Sequence, residues 1–152
     1  MQTINYLNKA MFQESDLAAC AKIMTEVYNN DLWQCNWSLE TAKDYLEDYV
    51  RGRKFLGYTI IVDNEIIGAI FAHEKIWWNN NEIFVDEMFI SPSYQRQGYG
   101  TELLKMVENY IKEHKLAGFT LTTNRYAPAP AFYRKNGFVD CEHVLYMGKC
   151  VE

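Results

Sequence analysis

Ser91-Pro92-Ser93-Tyr94-Gln95-Arg96-Gln97-Gly98-Tyr99-Gly100 is the stretch on which the reading of this chain turns. A β-type run, Ile83 to Ile90, leads into it. An amphipathic helical pattern, Leu103, Leu104, Val107 and Ile111, leads out of it, with Glu102, Lys105, Glu108, Lys112 and Glu113 on the other face. Paired glycines at the mouth of a helix favour an anion. First-turn N–H groups have no intrahelical acceptor, and the helix dipole places partial positive charge among them. Gly98 and Gly100 carry no Cβ, so a phosphate can lie against the backbone. Arg96 adds a planar fork of donors. The stretch reads as a cradle for a pyrophosphate. It is not a Walker loop, because no lysine precedes Thr101, and it is not a dinucleotide fingerprint, because Leu103 stands where the third glycine belongs.

The 152-residue chain suits a single domain, residues 1–152, and its 49% apolar content is enough for a sizeable core. The net charge of −5 argues against nucleic acid as a partner and leans toward a cationic one. Cys20, Cys35, Cys141 and Cys150 form no Cys-x-x-Cys pair, and no histidine stands at zinc-ligand spacing, so no metal is expected. Free thiols imply a reducing cytoplasm. Met1 to Ala10 lacks an apolar signal core, and no run approaches the ~18 apolar residues of a membrane span.

From the start of the chain, Thr3 to Leu7 reads as a first strand and Ser15 as the N-cap of a helix with the stripe Leu17, Cys20, Ala21, Ile23, Met24, Val27 and Tyr28. Asp31, Trp33, Cys35 and Trp37 occupy the following loop. Ser38 caps a second helix, striped by Leu39, Ala42, Tyr45, Leu46, Tyr49 and Val50. Phe55 to Val62, a turn at Asp63-Asn64 and Glu65 to His73 make a hairpin. Trp77 and Trp78 follow, then a turn at Asn79 to Asn81 and a strand from Glu82 to Ile90, the third of an antiparallel run. After the helix begun at Gly98, Phe119 to Thr123 is a strand, expected parallel to the one before the helix. Pro128 and Pro130 open a short helix ended by Gly137, and Phe138 to Cys141 and Val144 to Gly148 read as two closing strands.

Gln95-Arg96-Gln97-Gly98-Tyr99-Gly100 resembles the acetyl-CoA signature of the GNAT N-acetyltransferase superfamily, (Gln/Arg)-x-x-Gly-x-(Gly/Ala). Asn124 followed by Ala131-Phe132-Tyr133-Arg134-Lys135-Asn136-Gly137-Phe138 resembles a second family marker, with the alanine one place closer than usual. The resemblance extends from about Ser15 to Gly148. It implies an α/β fold (α+β by layer order), with a mixed, mostly antiparallel sheet of six to seven strands flanked by four helices and splayed between the fourth and fifth strands. It also implies acetyl-CoA as co-substrate in the splay. The backbone of Met88, Phe89 and Ile90 would pair with the pantetheine arm as an added strand does. Gln95, Arg96, Gln97, Gly98, Tyr99, Gly100 and Thr101 would hold the pyrophosphate, and Asn124 the arm or the loop beside it. Dimers are common among similar proteins, which allows a homodimer.

The resemblance implies direct transfer of acetyl to an amine, with Tyr133 as general acid toward the thiolate. An alkyl ammonium must lose a proton before its nitrogen can attack, and a carboxylate can accept it. Many relatives place a glutamate where Phe84 stands here. Asp86 matches the acidic residue, two places before the carbonyl-binding residue, that does this work in some aminoglycoside 6′-N-acetyltransferases. It is the expected base or amine anchor, with Glu87 the alternative on the opposite strand face and Glu82 a further negative charge. Asp31, Trp33 and Glu87 are the expected acceptor-binding residues, and Trp37, Trp77 and Trp78 could help cage a cation. His73, His114 and His143 do not cluster and receive no catalytic part. A small polycation of aminoglycoside or polyamine type is the expected acceptor. The competing readings are a peptide or amino-acid amine, another acyl donor, or a CoA-binding sensor without turnover.

Overall fold

In the computed structural model, which describes residues 7–152, the chain divides into two compact units, one ending at Thr122 and one spanning Thr123–Glu152. The first holds a five-stranded sheet ordered β1-β2-β3-β4-β5, formed by β1 (Leu7–Met11), β2 (Phe55–Val62), β3 (Glu65–Lys75), β4 (Glu82–Ile90) and β5 (Phe119–Leu121). The first four strands are antiparallel neighbours and β5 runs parallel to β4, as a helical crossover requires. Asp63 and Asn64, both at positive φ, make the tight turn from β2 to β3.

Helices α1 (Leu17–Tyr28) and α2 (Leu39–Val50) pack on one sheet face, where Cys20, Ala21, Ile23, Met24, Ala42 and Leu46 meet Ala69, Phe71 and Phe89. Ile70 and Ala72 alternate with Ala69 and Phe71 along β3 and are as deeply buried, so they point to the other face. There α3 (Tyr99–Glu113) contacts β2, β3 and β4 with its buried stripe Leu103, Leu104, Val107 and Ile111. Ser38 caps α2 as expected: its hydroxyl accepts from the Thr41 N–H at 3.0 Å, and the Thr41 hydroxyl accepts from the Ser38 N–H at 3.0 Å.

Three local expectations change. The first described strand is Leu7–Met11; Thr3 to Tyr6 of the expected strand lie outside the described residues. Ser15 is not the cap of α1. A 3-10 turn, Glu14–Asp16, precedes the helix, and the Asp16 carboxylate accepts from the Gln13 N–H at 2.8 Å. The sheet has five strands rather than six or seven, because neither closing strand forms among the described residues. Apolar alternation marks a strand only where a second backbone edge pairs with it; Val139, Leu145, Tyr146 and Met147 are instead exposed.

The second unit contains α4 (Ala129–Lys135), ended by Gly137 in the left-handed conformation at φ 90°. Arg134 and Asp140 form a bidentate pair at 2.9 Å within it.

Candidate active site

Strand β4 loses its partner halfway along. It pairs with β5 only at Ile83, Phe84 and Val85, yet it runs on to Ile90. On its other side β3 stays paired through Gly68 and Ile90. The Ser91 N–H donates to the Ile67 carbonyl at 2.7 Å, so by ladder alternation Phe89 and Glu87 also turn their backbone groups toward β3. Met88 and Ile90 therefore present theirs to the open edge. Consistent with this, Met88 O accepts from the Tyr28 hydroxyl at 3.3 Å and Ile90 O from Gln95 Nε2 at 3.0 Å. Phe89 turns its backbone groups to β3 and its side chain to the core, so Met88 and Ile90 are the residues whose backbone groups face the open edge.

The signature stretch leaves that edge through a 3-10 turn, Pro92–Tyr94, and enters α3. Arg96 and Gly98 are both left-handed, at φ 62° and 87°, and such steps gather successive N–H groups toward one concave side. Gly98 is the N-cap and brings no side chain to the first-turn N–H groups. A Cβ there would meet nothing within 4 Å, so glycine is required by the backbone angle and the space above it is open. Gln95 and Gln97 brace the loop, the latter donating to Ser93 O at 3.1 Å. Arg96 is exposed, while Tyr99, Gly100 and Thr101 are half-buried in the first turn.

Next to the open edge lies a β-bulge. Phe71 pairs with Glu87 and Ala72 with Val85, which leaves Asp86 as an additional residue in β4. The additional residue shifts the strand's parity and overturns the expectation that Asp86 and Glu87 point to opposite faces. Both carboxylates lie on the α1/α2 side. Glu87 Oε1 accepts from the Tyr45 hydroxyl at 2.6 Å, and Oε2 from the Tyr28 hydroxyl at 3.1 Å. Asp86 Oδ2 lies 2.7 Å from His73 Nδ1, and His73 shares the face of Ala69 and Phe71 by strand alternation.

Burial pushes the Glu87 carboxyl above the usual carboxylate range, and the two phenol donors and the neighbouring Asp86 act in opposite directions on it. Burial also raises Asp86, against the lowering effect of His73. The Tyr45 phenol is driven upward by burial and by Glu87, so it stays protonated and keeps donating. The Tyr49 hydroxyl donates to Tyr45 Oη at 3.1 Å and extends the chain to three phenols around one carboxylate.

Of the expected acceptor residues, Trp33 packs edge-on against Tyr28, with ring centroids 5.0 Å apart, and Trp37 lies 4.9 Å from Tyr45. They buttress the tyrosines that hold Glu87. Asp31 is exposed in the turn between α1 and α2. Trp77 already carries Lys75 Nζ over its ring at 5.2 Å, and Trp78 is exposed. Glu82 faces Lys75 at 3.9 Å and accepts from the Thr120 hydroxyl at 3.4 Å. In the second unit, Tyr133 sits between Phe132 and Phe138, with centroids 5.2 and 5.4 Å away. Asn124 Oδ1 accepts from the Tyr126 N–H at 2.9 Å, turning its own loop. The Cys20 thiol is buried and pushed up to about 12 by burial and Asp16, which makes it a poor nucleophile. Among the described residues no group of three or more His, Cys, Asp or Glu could hold a metal ion, and no helix is long and apolar enough to cross a membrane.

Reasoning from sequence did not find His73 or the phenol set. Tyr28, Tyr45 and Tyr49 read as ordinary core positions of their helical stripes, and nothing in Val85-Asp86-Glu87-Met88 announces a bulge.

The sequence profile of the acetyltransferase (GNAT) family matches residues 21–138. A sequence search of characterised proteins gives no significant match. Among solved structures, a possible acetyltransferase from Clostridium difficile 630 superposes with a TM-score of 0.80 at 15% identity, covering 96% of this chain and 99% of that one. The aminoglycoside N-acetyltransferase AAC(6′)-Iy in complex with CoA gives a TM-score of 0.76 at 14% identity, covering 98% of each chain. The aminoglycoside 6′-N-acetyltransferase AAC(6′)-IG from Acinetobacter haemolyticus gives 0.72 at 19% identity, covering 95% of this chain and 99% of that one. At these identities the superpositions speak for the fold, and the profile match speaks for the family. The chain belongs to the GNAT family of acetyltransferases.

Proposed function

We propose that the protein is an acetyl-CoA-dependent N-acetyltransferase acting on a primary amine of a small cationic molecule, of aminoglycoside or polyamine type, in the cytoplasm. The observation that carries this reading is the open β4 edge beside two buried carboxylates. The residues fit the co-substrate. Met88 and Ile90 offer strand-like backbone groups suited to the two amides of a pantetheine arm. The N–H groups from Arg96 to Thr101 suit a pyrophosphate. When bound, acetyl-CoA supplies the activated acyl group. The Met88 N–H polarises the carbonyl, as an oxyanion donor does. Tyr133 is the acid that returns a proton to the departing sulfur. Asp86 and Glu87, adjacent and on one face, attract the ammonium, with Asp86 as its anchor or as the carboxylate behind the site's proton acceptor. The net charge of −5 favours encounter with a cation.

The test is incubation with acetyl-CoA and a panel of polyamines, aminoglycosides, peptides and neutral amino acids, with free thiol as the readout. Thiol release with the small polycations is expected. Turnover confined to peptides or neutral amino acids would refute the acceptor class.

A further inference from the structure

We propose that His73 takes the proton from the acceptor ammonium and that Asp86 is the positioning residue that orients it. This rests on the acetyl-transfer reading and deepens it. The Asp86 side chain is only 7% exposed, whereas that of His73 is 37% exposed. The carboxylate therefore meets solvent chiefly through the imidazole on which it is anchored.

With Asp86 ionised, the contact assigns the roles of the ring nitrogens. An ionised carboxylate only accepts, so at 2.7 Å from Asp86 Oδ2 the hydrogen belongs to His73 Nδ1. Nε2 then carries the lone pair, and among the described residues it has no hydrogen-bond partner. The ring leans against Phe84, with centroids 5.7 Å apart, which holds its plane. Phe84 pairs with His73, so Asp86, two residues further along β4, comes to the same face, and the bulge brings Glu87 there as well. Asp86, which the ring contacts, lies two residues before Met88 along β4, about 7 Å away.

The chemistry favours imidazole over a bare carboxylate. An imidazole whose Nδ1–H is held by a carboxylate keeps a lone pair at Nε2, the arrangement that serves a general base. The imidazolium formed would lie 2.7 Å from the Asp86 carboxylate, an opposite charge in hydrogen-bond contact. The step balances. One N–H bond of the ammonium breaks and an Nε2–H bond forms. The freed nitrogen bonds to the thioester carbonyl carbon, and the C–S bond breaks. Tyr133 gives its proton to the sulfur and regains the nitrogen's second proton, and the imidazolium later loses its proton to water.

His73→Gln keeps a donor for Asp86 but cannot take up a proton. We expect its kcat to fall by about 100-fold or more, with KM for acetyl-CoA changed by less than about twofold. Added imidazole should restore part of the activity of His73→Ala, which a structural role would not allow. In the wild-type protein, nitrogen NMR should find neutral His73 as the Nδ1–H tautomer. The opposite tautomer, or a His73→Gln kcat within about threefold of wild type, would overturn the proposal. If the variants fail to fold, the wild-type tautomer alone decides. A wild-type protein that acetylates no amine overturns the acetyl-transfer reading and this proposal with it; an active enzyme indifferent to His73 overturns this proposal alone.

Discussion

Glu87 shows how a single side chain reports on the site. Its carboxyl is held away from water, and two phenols donate to it. Burial nevertheless wins, so its pKa in the folded protein lies above its unfolded value of roughly 4.3. A raised acid binds more protons folded than unfolded, so its contribution to stability is full below that unfolded value and is lost as pH rises through the folded pKa. Glu87→Gln removes the titration and keeps an acceptor for one phenol. Urea unfolding of both proteins across a pH series should find wild type losing stability relative to Glu87→Gln as pH rises through this window. A difference that is constant, or that grows with pH, would contradict the assignment.

At the scale of the element, α2 is both a packing unit and the carrier of the phenols. Leu46 and Ala42 bury its apolar face, while Tyr45 reaches the carboxylate and Tyr49, from the same helix, donates to Tyr45. Its start depends on the reciprocal Ser38–Thr41 bonds. Ser38→Ala should therefore lower global stability by about 1 kcal/mol, measured by chemical denaturation, and an unchanged midpoint would contradict the cap. This cap was legible in the sequence because Ser38 stands directly before the apolar helical period, whereas Ser15, read the same way, lies inside the 3-10 turn that precedes α1. The β2–β3 turn was legible for the same kind of reason: Asp63 and Asn64 tolerate positive φ. The bulge at Asp86 was not legible, because it is set by how β4 registers against β3, a relation between two strands that neither sequence carries alone. The histidine contact was hidden as well, since which residue of β4 lies beside His73 is set by the β3–β4 register. The closing strands failed for the converse reason. Val144 to Gly148 has the pattern of a strand but no paired edge.

Across the molecule, the sheet divides two tasks between its faces. The α1/α2 face gathers the carboxylates, the phenols and His73, and the other face takes the apolar stripe of α3. The crossover helix has to start where β4 ends, and this places its uncapped N-terminus beside the open strand edge. Parallel pairing that stops at Val85 then leaves Met88 and Ile90 open next to that N-terminus. In the proposed reading, backbone alone binds the acyl thioester, and side chains on the other side of the bulge handle protons. Isothermal titration of the purified protein with acetyl-CoA and with CoA tests this arrangement most directly. The account predicts saturable one-to-one binding of both, weakened when Gly98→Ala forces a Cβ into the left-handed conformation at an expected cost of about 1–2 kcal/mol. Absence of binding by either compound at millimolar concentration would contradict it.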